Sequence, residues 1–300
     1  MEKFEMTSTY PALPQFAEHR IKRDSGSVYA RDFAGSGPAF VVLHGFPDDS
    51  HIYDLLIPRL VSAGRRVVAV DFLGFGGSDK PVGAQYSFPQ QLADLEAVAE
   101  ALALDRIIPV GHDAGGPAAI NFSLKHPDRT SAVVVMNAFY GDAPGLRVPE
   151  LIELFSNREL RKLAMHFLQS PQQFAWLIDF QRNLLQHGLT DEQKVNYFEF
   201  LGPVIDNNFR QQPSAAMAFA QMTSQLHEEV AANTARLVDF RRSGVPVHLI
   251  WGNADPYLHV SVAQHMQSQG RNVSLHALDA GHWPQIDAAE EVAQIMLCVR

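Results

Sequence analysis

The chain has 300 residues, enough for one large domain or a core with an insertion. Apolar residues make up 46% and charged residues 19%, which supports a sizeable buried core and excludes a disordered acidic tail. Thirty-three acids against 24 Lys plus Arg leave a formal charge of −9. That balance argues against a nucleic-acid partner, which needs a basic face, and against an anionic membrane surface.

The start, Met1-Glu2-Lys3-Phe4-Glu5, lacks the basic-then-apolar order of a signal peptide, and no apolar run reaches the length of a membrane span. The expectation is a cytoplasmic protein without membrane partners. The single cysteine, Cys298, makes no internal disulfide, excludes a zinc site built on several thiolates, and reads as a small buried hydrophobe.

Four short runs in the first half, residues 39–43, 66–70, 106–110 and 132–136, are nearly continuous in apolar character. Parallel strands buried on both faces have that pattern. Helix-period segments separate them at 52–60, 90–104 and 114–125; in the second, Leu92, Leu95, Val98, Ala99 and Leu102 share a face. The alternation predicts a parallel sheet with helices on both sides. From 138 to 225 no strand is evident. Helices are expected there near 149–155, 158–167, 174–185 and 191–200, with many aromatic residues. Strand-like runs return at 245–251 and 273–278, and a helix over 288–297 ends the pattern. The expected division is an α/β core of residues 1–137 and 226–300 with a helical cap over 138–225.

Gly111-His112-Asp113-Ala114-Gly115-Gly116 lies between a strand and a helix. Two readings fit Asp113 alone: a helix N-cap, or the nucleophile of a G-x-S-x-G-type elbow with Asp in place of Ser. The small residues at 111 and 115, which a sharp strand-to-helix turn needs, favour the elbow. The helix N-terminus beside position 113 stabilises an anion.

With two further segments the chain resembles the α/β-hydrolase fold, and within it the aspartate-nucleophile branch of epoxide hydrolases and haloalkane dehalogenases. His44-Gly45-Phe46-Pro47 is similar to the family's H-G-x-P oxyanion loop. Asp71-Phe72-Leu73-Gly74-Phe75-Gly76-Gly77-Ser78-Asp79-Lys80-Pro81 is similar to its D-x-x-G-x-G-x-S-x-x-P segment; a dinucleotide fingerprint would need Gly where Asp79 stands. The resemblance implies a mostly parallel sheet with flanking helices and a helical lid insertion. It implies a triad of Asp113, Asp255 (in Trp251-Gly252-Asn253-Ala254-Asp255-Pro256) and His282 (in Gly281-His282-Trp283-Pro284), with the N–H groups of Phe46 and Ala114 as oxyanion hole. Some relatives carry the acid at the place of Asn137, which cannot ionise but can hydrogen-bond near His282. No metal or organic cofactor is implied.

An ionised carboxylate attacks an sp3 carbon directly, giving an alkyl ester on Asp113 that water, activated by His282 and Asp255, hydrolyses. The expected partners are a small apolar electrophile and water; oligomeric state is not legible. Ala114 and Phe46 stand where haloalkane dehalogenases usually carry Trp and Asn or Glu, so both usual halide donors are missing. Ala114 also departs from the Trp of epoxide hydrolases and the Arg of fluoroacetate dehalogenases. The leading reading is an epoxide hydrolase, with proton-donor candidates Tyr140, Tyr197 and His166 in the lid. The rival is a haloalkane dehalogenase with a lid-supplied donor such as Trp176. From another class comes a non-catalytic binding protein of hydrolase fold.

Overall fold

The computed structural model describes residues 10–299. Met1–Glu5, on which the reading of the N-terminus rested, lies outside them. Eight strands form one sheet in the order β1-β2-β4-β3-β5-β6-β7-β8. They are β1 (Ala17–Arg23), β2 (Gly26–Phe33), β3 (Ser36–Leu43), β4 (Arg65–Asp71), β5 (Ile107–His112), β6 (Val133–Met136), β7 (Val247–Gly252) and β8 (Val273–Leu278). The pairings β1–β2 and β2–β4 are antiparallel; all others are parallel. The result is one mostly parallel sheet with an antiparallel pair of strands at one edge.

The parallel strands sit at the centre because their side chains are apolar on both faces. Val41, Val42, Leu43, Val68, Val70 and Val110 are wholly enclosed. Each such side chain contributes about 1.5–3 kcal/mol relative to exposure. Helices α1 (Ile57–Ser62), α2 (Phe88–Ala101) and α3 (Gly115–Lys125) connect the first strands. Sequence periodicity suggested one helix over 52–60. The structure instead has a 3-10 turn at Ser50–Tyr53, capped by the Asp49 side chain, and then α1, whose second residue is Pro58.

Between β6 and β7 the secondary structure is helical. The elements are α4 (Glu150–Ser156), α5 (Arg161–Leu168), α6 (Pro171–Leu185), α7 (Asp191–Asn196), a π-helical turn (Tyr197–Leu201), α8 (Gly202–Arg210), α9 (Ala216–Thr223) and α10 (Leu226–Arg242). Thr190 and Gln193 form a capping box at the start of α7. Helices α11 (Val260–Gln269), α12 (Pro284–Asp287) and α13 (Ala289–Leu297) complete the fold. Cys298, expected to be buried, is exposed just beyond α13. No helix among the described residues is long and apolar enough to cross a membrane.

Candidate active site

Strand β5 delivers the chain into a tight turn at Asp113, whose φ is +47°, and α3 begins two residues later. The turn tolerates no side chain on either side. A Cβ on Gly111 would lie 2.5 Å from the Gly115 carbonyl oxygen, and one on Gly115 would lie 2.7 Å from the carbonyl oxygens of Leu43 and His44. This geometry holds the Asp113 carboxyl up at the end of the sheet. Its Oδ2 accepts the Phe46 N–H at 2.9 Å, and the Ala114 N–H also faces the carboxylate. Burial pushes the Asp113 carboxyl above its ordinary range, while the charge of His282 and the two N–H groups act in the opposite direction.

Asp255 follows β7 and His282 follows β8, so both lie where the strands of an open sheet end. The His282 Nδ1 meets Asp255 Oδ2 at 2.7 Å. Asp255 is saturated with donors: the Tyr257 and Leu258 N–H groups reach Oδ1 at 2.9 and 3.0 Å, and Asn137 Nδ2 donates to Oδ2 at 2.9 Å. Burial alone would raise this acid, yet His282 and the hydrogen bonds hold it below the usual carboxylate range. Asn137 also accepts the Gly252 N–H at 2.7 Å and so fastens β6 to the acid-bearing turn. For His282, burial opposes the charged form, but Asp255, Asp113 and Asp48 outweigh it and raise the imidazole to about 9.

Behind His282 lies a group that sequence reasoning missed. Asp48, fully buried, accepts the Trp283 Nε1–H at 2.9 Å and stands 3.7 Å from His112 Nδ1. His112 Nε2 bonds the His282 carbonyl oxygen at 2.8 Å, which makes Nε2 the protonated nitrogen. Burial pushes Asp48 up to about 7 and His112 well below the ordinary histidine value. The signal in the sequence was slight: an acid directly after His44-Gly45-Phe46-Pro47, and a His in the elbow itself.

A cavity of about 190 Å³ opens on this arrangement. Asp113, His282, Phe46 and Trp283 line it from the core, with Leu151, Ile152, Gln181 and Leu185 from the helical segment above. The lining is apolar apart from a few groups, among them Tyr257, Gln181 and His227. Tyr257 is fixed: Gln181 Nε2 donates to its hydroxyl at 2.9 Å, and the hydroxyl donates to Glu150. Among the described residues no group of three or more His, Cys, Asp or Glu is placed to hold a metal ion.

The four candidates from the helical segment do not line this cavity. Tyr140 is buried under α10 and its hydroxyl donates to Asn121 at 2.9 Å. Tyr197, in the π-helical turn, is wholly buried against the face of the His282 loop, edge-on to Trp283. His166 is exposed on α5, and Trp176 is 60% exposed, stacked on Phe180 at the outer surface of α6.

A family model described as alpha/beta hydrolase fold matches residues 38–289. The chain belongs to the α/β-hydrolase fold family. This α/β-hydrolase is 28% identical to epoxide hydrolase 3 of Xenopus tropicalis, over 91% of the chain and 75% of that protein. It is 26% identical to haloalkane dehalogenase 2 of Mycobacterium bovis, over 96% of both chains. Several other curated relatives are matched over only 28–51% of their own length. Among solved structures it superposes on the epoxide hydrolase CorEH with a TM-score of 0.73 at 18% identity, covering 95% of this chain and 98% of the other. The α/β-hydrolase is an enzyme of the type that includes epoxide hydrolases and haloalkane dehalogenases.

Proposed function

We infer that the chain hydrolyses a small apolar epoxide to a diol through an ester on Asp113, with residues 138–225 as a cap over the site. The observation that carries the reading is the Asp113 carboxylate in the elbow, one oxygen held by the Phe46 N–H, in the same cavity as the His282–Asp255 pair. In the first step the free carboxylate oxygen attacks a ring carbon in line. The C–O bond of the epoxide breaks, and its electron pair leaves as an alkoxide that takes a proton from water. The Tyr257 hydroxyl is assigned to that oxygen, replacing Tyr140, Tyr197 and His166; to donate there it exchanges its Glu150 partner for the alkoxide, while Gln181 keeps its bond to the hydroxyl. Burial and Glu150 push Tyr257 up to about 12, a weaker acid than free tyrosine but a stronger one than water, so its hydroxyl hydrogen-bonds the oxygen and relays to it the proton that water supplies.

In the second step His282 takes a proton from water and hydroxide adds to the ester carbonyl. Negative charge grows on the oxygen that faces Phe46 and Ala114; the bond from the Asp113 carboxyl carbon to the substrate oxygen then breaks, the diol leaves with the proton returned by His282, and the Asp113 carboxyl passes its own proton to His282, which restores carboxylate and imidazolium. The order of events follows from charge. At rest the Asp113 carboxylate favours imidazolium. Once esterified it is neutral, the imidazolium gives its proton to the hydroxide left by the first step, and His282 is free to act as a base.

The chain's indoles bear on the leaving group. Of its three tryptophans, Trp251 donates to the Leu258 carbonyl at 2.6 Å, Trp283 donates to Asp48, and Trp176 lies at the outer surface. None supplies a free indole N–H to the cavity, which favours an oxygen over a halide as leaving group.

The test is the intact mass of His282→Gln after exposure to styrene oxide and, separately, 1-bromobutane. Addition of the whole epoxide supports the reading. A butyl adduct with none from the epoxide replaces it with dehalogenation, and an unchanged mass with both, together with tight binding, replaces it with the non-catalytic alternative.

A further inference from the structure

The Asp71–Pro81 segment matches a family motif yet touches no reacting atom in the steps above. Its contacts show what it holds. Asp71 accepts the Ser50 N–H at 2.8 Å through Oδ1 and the Gly77 N–H at 2.7 Å through Oδ2. The Phe72 N–H donates to His44 Nε2 at 3.1 Å, which leaves Nδ1–H to donate to the Gly45 carbonyl at 2.9 Å. Both nitrogens of His44 are thereby occupied in bracing the oxyanion loop. These bonds tie the start and the end of the 44–50 turn to the 71–77 loop but leave its middle, next to Phe46, without a core partner among them.

That middle is held from the core by Trp283 through Asp48, and from the helical segment by one side chain of α8. Asn208, 2% exposed, donates through Nδ2 to the Pro47 carbonyl and to Asp49 Oδ2, both at 3.3 Å. Its Oδ1 accepts the Gly76 N–H at 2.8 Å. The chemistry of the partners fixes the amide's orientation, since a carbonyl and a carboxylate need the N–H side and a backbone N–H needs the oxygen. The Asn208 backbone carbonyl accepts the Ala215 N–H at 2.8 Å, which anchors the clamp between α8 and α9. From α9, Phe219 packs edge-on against the Phe46 ring at 6.1 Å.

We propose that Asn208 is a positioning residue of the hydrolytic step: it carries the placement of the cap to the Phe46 N–H through the Pro47 carbonyl. The proposal rests on the ester reading above. The two half-reactions ask opposite things of the Phe46 N–H. During ester formation charge leaves the Asp113 carboxyl, so a well-placed N–H on Oδ2 gives no advantage. During ester hydrolysis charge grows on that same oxygen, and the N–H must follow it. A loosened 46–49 turn therefore slows the second step and spares the first. A residue needed only for stability would lower the melting temperature and both rates together.

The experiment is a single-turnover reaction with styrene oxide, following the Asp113 ester by quenched intact mass, in wild type, Asn208→Ala, Asn208→Asp and His282→Gln. Asn208→Asp is nearly isosteric: it keeps the acceptor for Gly76 and loses the donor to Pro47 and Asp49, so it carries the test where the alanine variant folds poorly. The expected result is ester formation at the wild-type rate and ester hydrolysis slowed by about 10-fold or more, short of the about 10²–10³ typical of deleting an oxyanion donor outright. Both Asn208 variants then accumulate ester under conditions where wild type does not. Equal slowing of both steps, or no accumulation in a folded variant, overturns the role of Asn208. If His282→Gln forms no ester, the ester reading itself falls and takes this inference with it; ester in His282→Gln beside wild-type behaviour in both Asn208 variants overturns the inference alone.

Discussion

Titrating the resting enzyme tests the charge state on which the order of steps depends. His282 is raised from 6.5 to about 9 by Asp255, Asp113 and Asp48 acting against burial. A folded-state value above the unfolded one means that the folded protein binds the proton more tightly. The stabilisation is fully present below pH 6.5 and is lost as pH rises towards 9. A rise of about 2.5 units at 1.36 kcal/mol each amounts to about 3 kcal/mol. The raised carboxyls run the other way, because their folded values exceed the unfolded ones and stability falls as they ionise. Asp48 and Asp287 are pushed to about 7, mainly by burial, so most of their loss is complete near pH 7 and the window above belongs to His282. Urea melts of wild type and His282→Gln at intervals from pH 6 to 9.5 isolate the effect, since Gln does not titrate. The advantage of wild type over the variant should shrink by about 3 kcal/mol across the window. A difference that stays level from pH 6.5 to 9 would refute an imidazolium at rest, and with it the argument that esterification of Asp113 releases the base.

Once Asp113 is esterified, one of the three carboxylates around His282 is neutral. Single-turnover ester hydrolysis should therefore rise with pH through an apparent pKa below 9, and a midpoint at or above 9 would count against the proposed coupling. Gly45→Ala places a Cβ 2.4 Å from the Asp113 Cβ, so ester formation should be abolished, as read by intact mass in the His282→Gln background. Asn137→Ala leaves the Gly252 N–H unpartnered and removes a donor from Asp255; denaturant melts should show a loss of about 1–3 kcal/mol. Tyr257→Phe keeps the ring and removes the hydroxyl, so it should slow opening of styrene oxide and leave displacement of bromide from 1-bromobutane unchanged; equal slowing of both would remove Tyr257 from the leaving-group role.

How much of this was legible depends on what each residue's environment demands of its neighbours. The central strands could be read because a strand covered on both faces must be continuously apolar, and the runs at 39–43, 66–70 and 106–110 lie within β3, β4 and at the start of β5. Strands β1 and β2 could not. In β1 only Ile21 is buried, and the remaining residues, rich in charge, show neither an apolar run nor a clean alternation. The elbow was legible because its turn excludes a Cβ at 111 and 115, which leaves a trace in residue type. Nothing comparable marks the direction of a side chain in the helical segment between β6 and β7.

The tyrosines make the point most directly. Tyr140, Tyr197 and Tyr257 are all buried, and all three lie on segments around the cavity. What separates them is one turn of local geometry each. The π-helical turn rotates Tyr197 onto Trp283, and Asn121 on α3 claims the hydroxyl of Tyr140. Tyr257 is turned into the cavity wall because its own N–H and that of Leu258 are both committed to Asp255, which fixes the backbone from which its ring projects. The same carboxylate that orients His282 thus aims the hydroxyl assigned to the departing oxygen. A hydroxyl's usefulness is set by what its backbone is bonded to, two and three residues from the acid. Proximity of a tyrosine to the helical segment in sequence carries no such information.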